Sequence, residues 1–443
     1  MPTPSRTDRK LVLHGRRRFA AAVTTAVALL LAVWIVRPPP CSTAPSFQTH
    51  PQGCYDRELT SLESRERGAI VVLLRARDLA ELLPTLRNFE QRFNAQFRYP
   101  YVFLTDPEEP EGPDQGGGLP LWFRRAVAEV LPDGAVTEWG VVPPERWTIP
   151  DWLDKEEMRR GFKEQEERGV LYAGREGYHH MCRWYSGLFA RHPLLAKYEW
   201  YWRLEPGGKP HRLYARRSFT HGATSSAVRF HCSITYDPFR YLSETNKTYG
   251  FVISVVDQLN TMPTLIPTTL EYLAVKGITP PSRQLWEFLM RRNGAGDYAA
   301  FTSDTHHPRA QIGDLRFFRS PAYQDYFRHL DQKGGFYTER WGDAPVRALA
   351  LGAFAGLDKI HYFEDFAYQH DWFMHCPSRS TTCSSGRSLD DDDRVTGCEC
   401  ACPKAGDLQG RKPGQELVDM DTDWRYSCIS FWKDAVRKAR GEP

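Results

Sequence analysis

Ala69–Leu74 (AIVVLL), Asp78–Phe97 and Tyr99–Leu104 (YPYVFL) decide the fold. The first is a short β-branched run, the second carries apolar residues at helical spacing, and the third is another strand-like run. Strand, helix, strand in that order opens a βαβ unit, so an α/β domain is expected to begin near Gly68. Further alternation runs through Tyr249–Val256 and reappears at Ile360–Phe363, after a Pro/Gly-rich loop at 106–120. No internal repeat interrupts it.

Upstream of Gly68 the composition changes. Phe19–Val36 is an eighteen-residue stretch without a charge, preceded by Arg6, Arg9, Lys10 and the run Arg16, Arg17, Arg18. At the helical rise it spans roughly 27 Å, close to a thin bilayer core. The basic flank belongs on the cytosolic side. The expectation is a cytosolic tail at 1–18, a signal anchor at 19–36, a lumenal stem rich in Pro, Ser and Thr at 37–67, and a lumenal domain at 68–443. A cleaved signal peptide is the rival reading, but the apolar stretch is long and no clear small-x-small site follows.

Charge excludes one class. The chain of 443 residues has a formal net charge of +3, and its first 37 residues hold seven Lys/Arg and one Asp, which leaves the remainder slightly acidic. No basic run occurs there, so nucleic acid is not an expected partner.

The 10 cysteines suit an oxidising lumen. Cys182 with Cys232 is one expected pair. Zinc is the competing reading of Cys398, Cys400 and Cys402, although zinc ribbons favour Cys-x-x-Cys. Asn246-Lys247-Thr248 is a glycosylation sequon that fits the same compartment. The acidic run Asp390–Asp393, inside the low-complexity stretch 384–397, reads as a solvated loop rather than a metal site.

Among chemistry-bearing residues, Glu205 stands out. It follows the aromatic run Tyr198–Trp202 and Arg203, and it directly precedes Pro206, a rigid place to present a carboxylate. By residues alone, a surface glutamate beside Arg203 is the plainer interpretation.

Several ordered blocks change that weighting. They include Arg75, Phe93-Asn94, Tyr99-Pro-Tyr-Val-Phe-Leu104, Tyr178-His-His-Met-Cys-Arg183 with Ser186-Gly187, and Tyr201-Trp-Arg-Leu-Glu-Pro206. Further on come Ile234-Thr-Tyr-Asp-Pro-Phe239, Gly313-Asp-Leu-Arg-Phe-Phe-Arg-Ser320, Glu339-Arg-Trp-Gly-Asp-Ala-Pro345 and His375-Cys-Pro377. Over roughly Gly68 to Cys428 the chain resembles glycosyltransferase family fifteen, the fungal Golgi α-1,2-mannosyltransferases.

The resemblance implies an α/β, GT-A-like domain with a mixed central sheet. It implies a retaining enzyme that moves mannose from GDP-mannose to the mannose of a protein-linked N- or O-glycan, with Mn²⁺ as cofactor. Glu205 and His370 match the metal ligands. Arg75, Tyr172, Tyr178 and Arg203 match positions lining the nucleotide pocket, and Asp343 matches an acidic residue of the sugar-binding region. It further implies a type II protein of the Golgi membrane, able to join complexes with other mannosyltransferases.

Three departures qualify the match. Gln311 stands where the family usually has a glutamate near the anomeric carbon. An amide is no carboxylate nucleophile, so the expected role of Gln311 is electrostatic, its carbonyl dipole facing a cationic transition state. Residues 208–227 look like an insertion beside Glu205, and Ser233 replaces an expected Asp. These leave two alternatives open: a catalytically silent lumenal subunit, and a transferase of altered acceptor specificity.

Overall fold

The first βαβ unit is present as expected. The computed structural model describes residues 59, 61–62, 65–108, 118–207, 228–255, 259–290, 311–370, 373–377, 418–420 and 426–442. Strand β1 (Gly68–Leu73) leads through helix α1 (Leu79–Phe89) to β2 (Tyr101–Thr105), and the two strands pair in parallel. Side chains alternate across a strand, so Ala69 and Val71 enter one apolar core while Ile70 and Val72 enter the other. A strand buried on both faces reads as a continuous hydrophobic run, which is why AIVVLL was so legible.

The central sheet has seven strands in the order β3-β2-β1-β4-β7-β6-β8. Here β3 is Thr137–Val141, β4 Trp200–Arg203, β6 Tyr249–Phe251, β7 Gln311–Asp314 and β8 Ile360–Tyr362. β1 to β4 run parallel, whereas β7 is antiparallel to both β4 and β6, so the sheet is mixed. Because β1 has β2 on one side and β4 on the other, the crossovers diverge there. In open α/β sheets the crevice beyond the carboxyl ends of such strands is where ligands bind. Arg75 follows β1 and Glu205 follows β4 at that end.

A smaller four-stranded sheet, β11-β10-β9-β5, contains β5 (Arg229–Phe230), β9 (Tyr368–His370), β10 (Phe373–His375) and β11 (Val418–Asp419). The expected alternation at 249–256 yields only the three-residue strand Tyr249–Phe251. Asp237 caps the helix Pro238–Glu244, its carboxylate accepting from the amides of Phe239 and Arg240.

Among the described residues no helix is long and apolar enough to cross a membrane. Residues 19–36, nearly all of the 37–67 stem, the 208–227 insertion, the 384–397 stretch and the cysteines of 398–402 lie outside the described residues. The expected Cys182–Cys232 pair is corrected: Cys182 is a buried free thiol, while Cys232 is disulfide-bonded. Cys182 is held on a helix in the main core, whereas Cys232 packs with Ala367 and Cys376.

Candidate functional site

Three elements meet where β4 ends. Arg203 is its last residue, and the antiparallel register sets Gln311, the first residue of β7, directly opposite. Directly paired residues project to the same face of a sheet. Tyr201 lies two positions earlier on that face. Over it packs a helix, Asp343–Phe354, which begins with the acidic residue that its positive end favours. One turn later this helix presents Arg347.

Arg203 is clamped between two carboxylates. Its Nε donates to Glu205 Oε1 at 2.6 Å and its Nη1 to Asp343 Oδ2 at 2.8 Å, while its guanidinium lies 3.4 Å from the centroid of the Tyr185 ring. Arg347 also pairs with Asp343, and its Nη1 donates to Gln311 Oε1 at 2.6 Å and to the Tyr201 hydroxyl at 3.1 Å. Two cations and two carboxylates thus form one network, buried except at the half-buried Glu205, with Gln311 as a neutral member. Glu205 Oε2 and Asp343 Oδ1 receive no hydrogen bond within it.

Two expected site residues sit deep in this network. Arg203 is 2% exposed and donates to both Glu205 and Asp343. The Gln311 carbonyl oxygen faces Arg347, not an open site. A guanidinium can only donate, which fixes the amide orientation and leaves Gln311 Nε2 as the buried atom without a partner. Arg347 was missed in the sequence; its one local signal is the four-residue spacing from Asp343.

The other wall is aromatic and cationic. Helix Glu176–Arg183 carries Tyr178, Met181 and Cys182. The rings of Tyr172 and Tyr178 lie 5.0 Å apart, and Tyr172 holds a left-handed backbone at φ 63°. Arg75, ion-paired to Asp106, lies so close to Gly177 that a Cβ there would sit 2.8 Å from its Nη2. Met181 Sδ accepts from Arg203 Nη2 at 3.6 Å, tying this wall to the clamp. Arg340, buried and 5.5 Å from the Tyr178 centroid, was also missed. Burial pushes the Cys182 thiol up to about 11, against the lowering pull of Arg340 and then Arg203, so all three belong to one neighbourhood.

His370 ends β9 and is fully buried. The β5–β9 register pairs Arg229 with Gln369, so Val228 comes opposite His370. In helix α1, Thr85 Oγ1 lies 3.1 Å from the Pro206 carbonyl oxygen and 3.5 Å from that of Val228. Thr85 thus bridges the residue after Glu205 and the residue opposite His370. A carboxylate oxygen with no donor among the described residues and an imidazole are a set that suits a divalent ion such as Mn²⁺. No group of three or more His, Cys, Asp or Glu placed for a metal occurs among the described residues, so substrate oxygens or water would complete such a shell.

Comparison with known proteins agrees with this architecture. A family model described as glycolipid 2-alpha-mannosyltransferase matches residues 42–211 and 223–403. The chain is 37% identical over 316 residues to O-glycoside alpha-1,2-mannosyltransferase homolog 2 of Schizosaccharomyces pombe, covering 71% of this chain and 75% of that protein. It superposes on the crystal structure of core-mannan synthase A from Aspergillus fumigatus, in its Mn/GDP form, with a TM-score of 0.65 at 29% identity, covering 85% of this chain and 87% of the other. The mannosyltransferase Ktr4p of S. cerevisiae in complex with GDP gives 0.64 at 30% identity, covering 87% and 83%. With its family model matched over most of its length and its fold shared with these enzymes, the chain belongs to the glycolipid 2-alpha-mannosyltransferase family.

Proposed function

We propose that this protein transfers mannose from GDP-mannose to the 2-hydroxyl of a mannose residue on a protein-linked N- or O-glycan, with retention of the anomeric configuration. The observation that carries the reading is the Arg203 clamp, one guanidinium at the carboxyl end of β4 that holds both Glu205 and Asp343 by one carboxylate oxygen each.

In this reading Glu205 and His370 hold the metal, and Asp343 Oδ1 accepts hydrogen bonds from donor-sugar hydroxyls. A divalent cation bound there supplies charge neutralisation for the diphosphate leaving group. Tyr172, Tyr178 and Arg75 form the nucleotide wall. Gln311 offers no carboxylate for a covalent intermediate, so the acceptor hydroxyl attacks from the leaving-group side and the departing diphosphate takes its proton. Arg347 and Gln311 keep Asp343 in place. A silent subunit is the weaker alternative, because Glu205 and Asp343 both keep an oxygen open to a ligand.

The same reading puts the protein in the Golgi membrane as a single-pass type II protein. Its support is the uncharged run at 19–36 with basic residues before it.

The test is GDP release from GDP-mannose with α-methyl-mannoside as acceptor, with and without a chelator. Release that needs both acceptor and divalent ion supports the reading. No release with any mannoside overturns it in favour of the silent subunit.

A further inference from the structure

Lys247 and Asp358 lie at the end of the central sheet away from the Arg203 clamp. Gln311 pairs with Arg203 at the carboxyl end of β4, and further along β7 Gly313 pairs with both Tyr201 and Tyr249. Tyr249, the first residue of β6, pairs in turn with Ile360, the first of β8. The chain just before β6 and β8 is therefore at the amino end of β4, remote from Glu205. A cavity of about 360 Å³ is found there, lined by the edge strand β8 and the C-terminal helix Ile429–Arg440. Small-molecule sites are of this size, about 300–1,000 Å³.

The lining has two chemistries. Leu357, Trp432 and Val436 make part of it apolar, whereas Lys247 and Arg440 bring positive charge. Lys247 Nζ donates to the carbonyl oxygen of Asp358 at 2.7 Å, a neutral partner, and Lys247 forms no ion pair among the described residues. Burial pushes its ammonium pKa down, Asp358 pulls it back up, and Lys359 and Arg440 push it down further. Lys359 also rests on a neutral acceptor, the Asn246 carbonyl oxygen at 3.3 Å. His361 lines the same cavity, is 5% exposed, and has an Nε2 without a hydrogen-bond partner. A neutral imidazole nitrogen is either a donor or an acceptor, and a ligand hydroxyl can answer both.

We infer that this cavity is a second ligand site, for a sugar phosphate: Lys247 and Arg440 take the phosphate, and the sugar ring lies against Trp432 and Val436 with a hydroxyl at His361. Bare phosphate would leave the apolar lining uncovered. A neutral sugar would leave the half-buried ammonium without counter-charge, and a purely apolar ligand would strand both polar groups. A sugar phosphate supplies compact negative charge, hydroxyls and a ring face in one molecule. The inference goes beyond mannosyl transfer and does not depend on it.

The experiment uses the full-length chain in detergent and calorimetry with glucose 6-phosphate, inorganic phosphate and glucose, each with and without excess GDP. Wild type is expected to bind glucose 6-phosphate with a Kd below about 1 mM whether or not GDP is present, and inorganic phosphate at least about tenfold more weakly. Glucose should give no detectable heat. Lys247→Met, which keeps Asn246 and Thr248 as a sequon, removes the charge, and Val436→Trp fills the cavity. Each should weaken glucose 6-phosphate binding by about tenfold or more and leave GDP affinity within about twofold of wild type. Arg440→Gln, at the exposed helix end, repeats the charge test if Lys247→Met does not fold. Unchanged sugar phosphate affinity in the charge variants, displacement by GDP, or equal affinity for inorganic phosphate overturns the inference and leaves mannosyl transfer standing. A wild type that binds the sugar phosphate but not GDP supports the inference and counts against the transferase reading alone.

Discussion

Arg347 Nη1 donates to Gln311 Oε1 at 2.6 Å, so the residue at position 311 turns its oxygen to a buried cation rather than to a substrate. The network around it contains Arg203 and Arg347 against Glu205 and Asp343, a balanced set. Gln311→Glu would add a third carboxylate. The variant is expected to lose about 1–3 kcal/mol of stability, read as a lower urea midpoint, with no gain in turnover. A tenfold or greater rise in kcat would show instead that position 311 acts as a carboxylate.

Arg203 holds two carboxylates with two different nitrogens, a task that needs a fork. Lysine offers one point charge on a flexible stem. Arg203→Lys should therefore leave Glu205 loosely oriented and raise the Mn²⁺ concentration for half-maximal activity by about 10–100-fold, the usual cost of losing a partner that orients a metal ligand. A titration of activity against Mn²⁺ reads this directly. An unchanged midpoint would mean that Glu205 does not depend on the clamp.

Acid should destabilise the protein through His361. Burial, and then the Lys247 charge, push its imidazole down to about 3. The unfolded chain takes up this proton near pH 6.5, so the contribution of His361 to stability is complete above that pH and fades as pH falls toward 3. Asp237 works the other way: burial raises its carboxyl to about 6, so its term favours the folded state below about pH 4 and is lost as pH rises through 6. His361→Leu is expected to recover about 2–4 kcal/mol of the loss between pH 7 and pH 4. Urea midpoints at those two pH values, compared with wild type, check it; parallel losses in both proteins would remove His361 from the account.

Much of the fold was legible because it is local. AIVVLL and YPYVFL are buried on both faces, and helix α1 between them shows its apolar spacing openly. Glu205 was legible as a strand-end carboxylate before proline. The pairing of β7 between β4 and β6 was not, since register across more than a hundred residues leaves no mark in either segment. The same non-local pairing sets Gln311 against Arg203 and so creates the network that Arg347 completes. Arg347 itself is hidden in a helix whose surroundings are almost wholly apolar, and Arg340 sits inside a recognisable block with nothing local to mark it. The position of His370 depends on the smaller sheet, whose strands of two or three residues are too short to show a period.

The central claim is mannosyl transfer at the Arg203 clamp, and the most direct measurement is the linkage of the product. The protein is incubated with GDP-mannose, Mn²⁺ and α-methyl-mannoside, and any disaccharide is analysed by NMR beside a Glu205→Ala control. The account predicts an α-1,2-linked mannobioside made by wild type, with activity falling by at least about 100-fold in the control. A β-linked or differently linked product, or equal yield from Glu205→Ala, would contradict it.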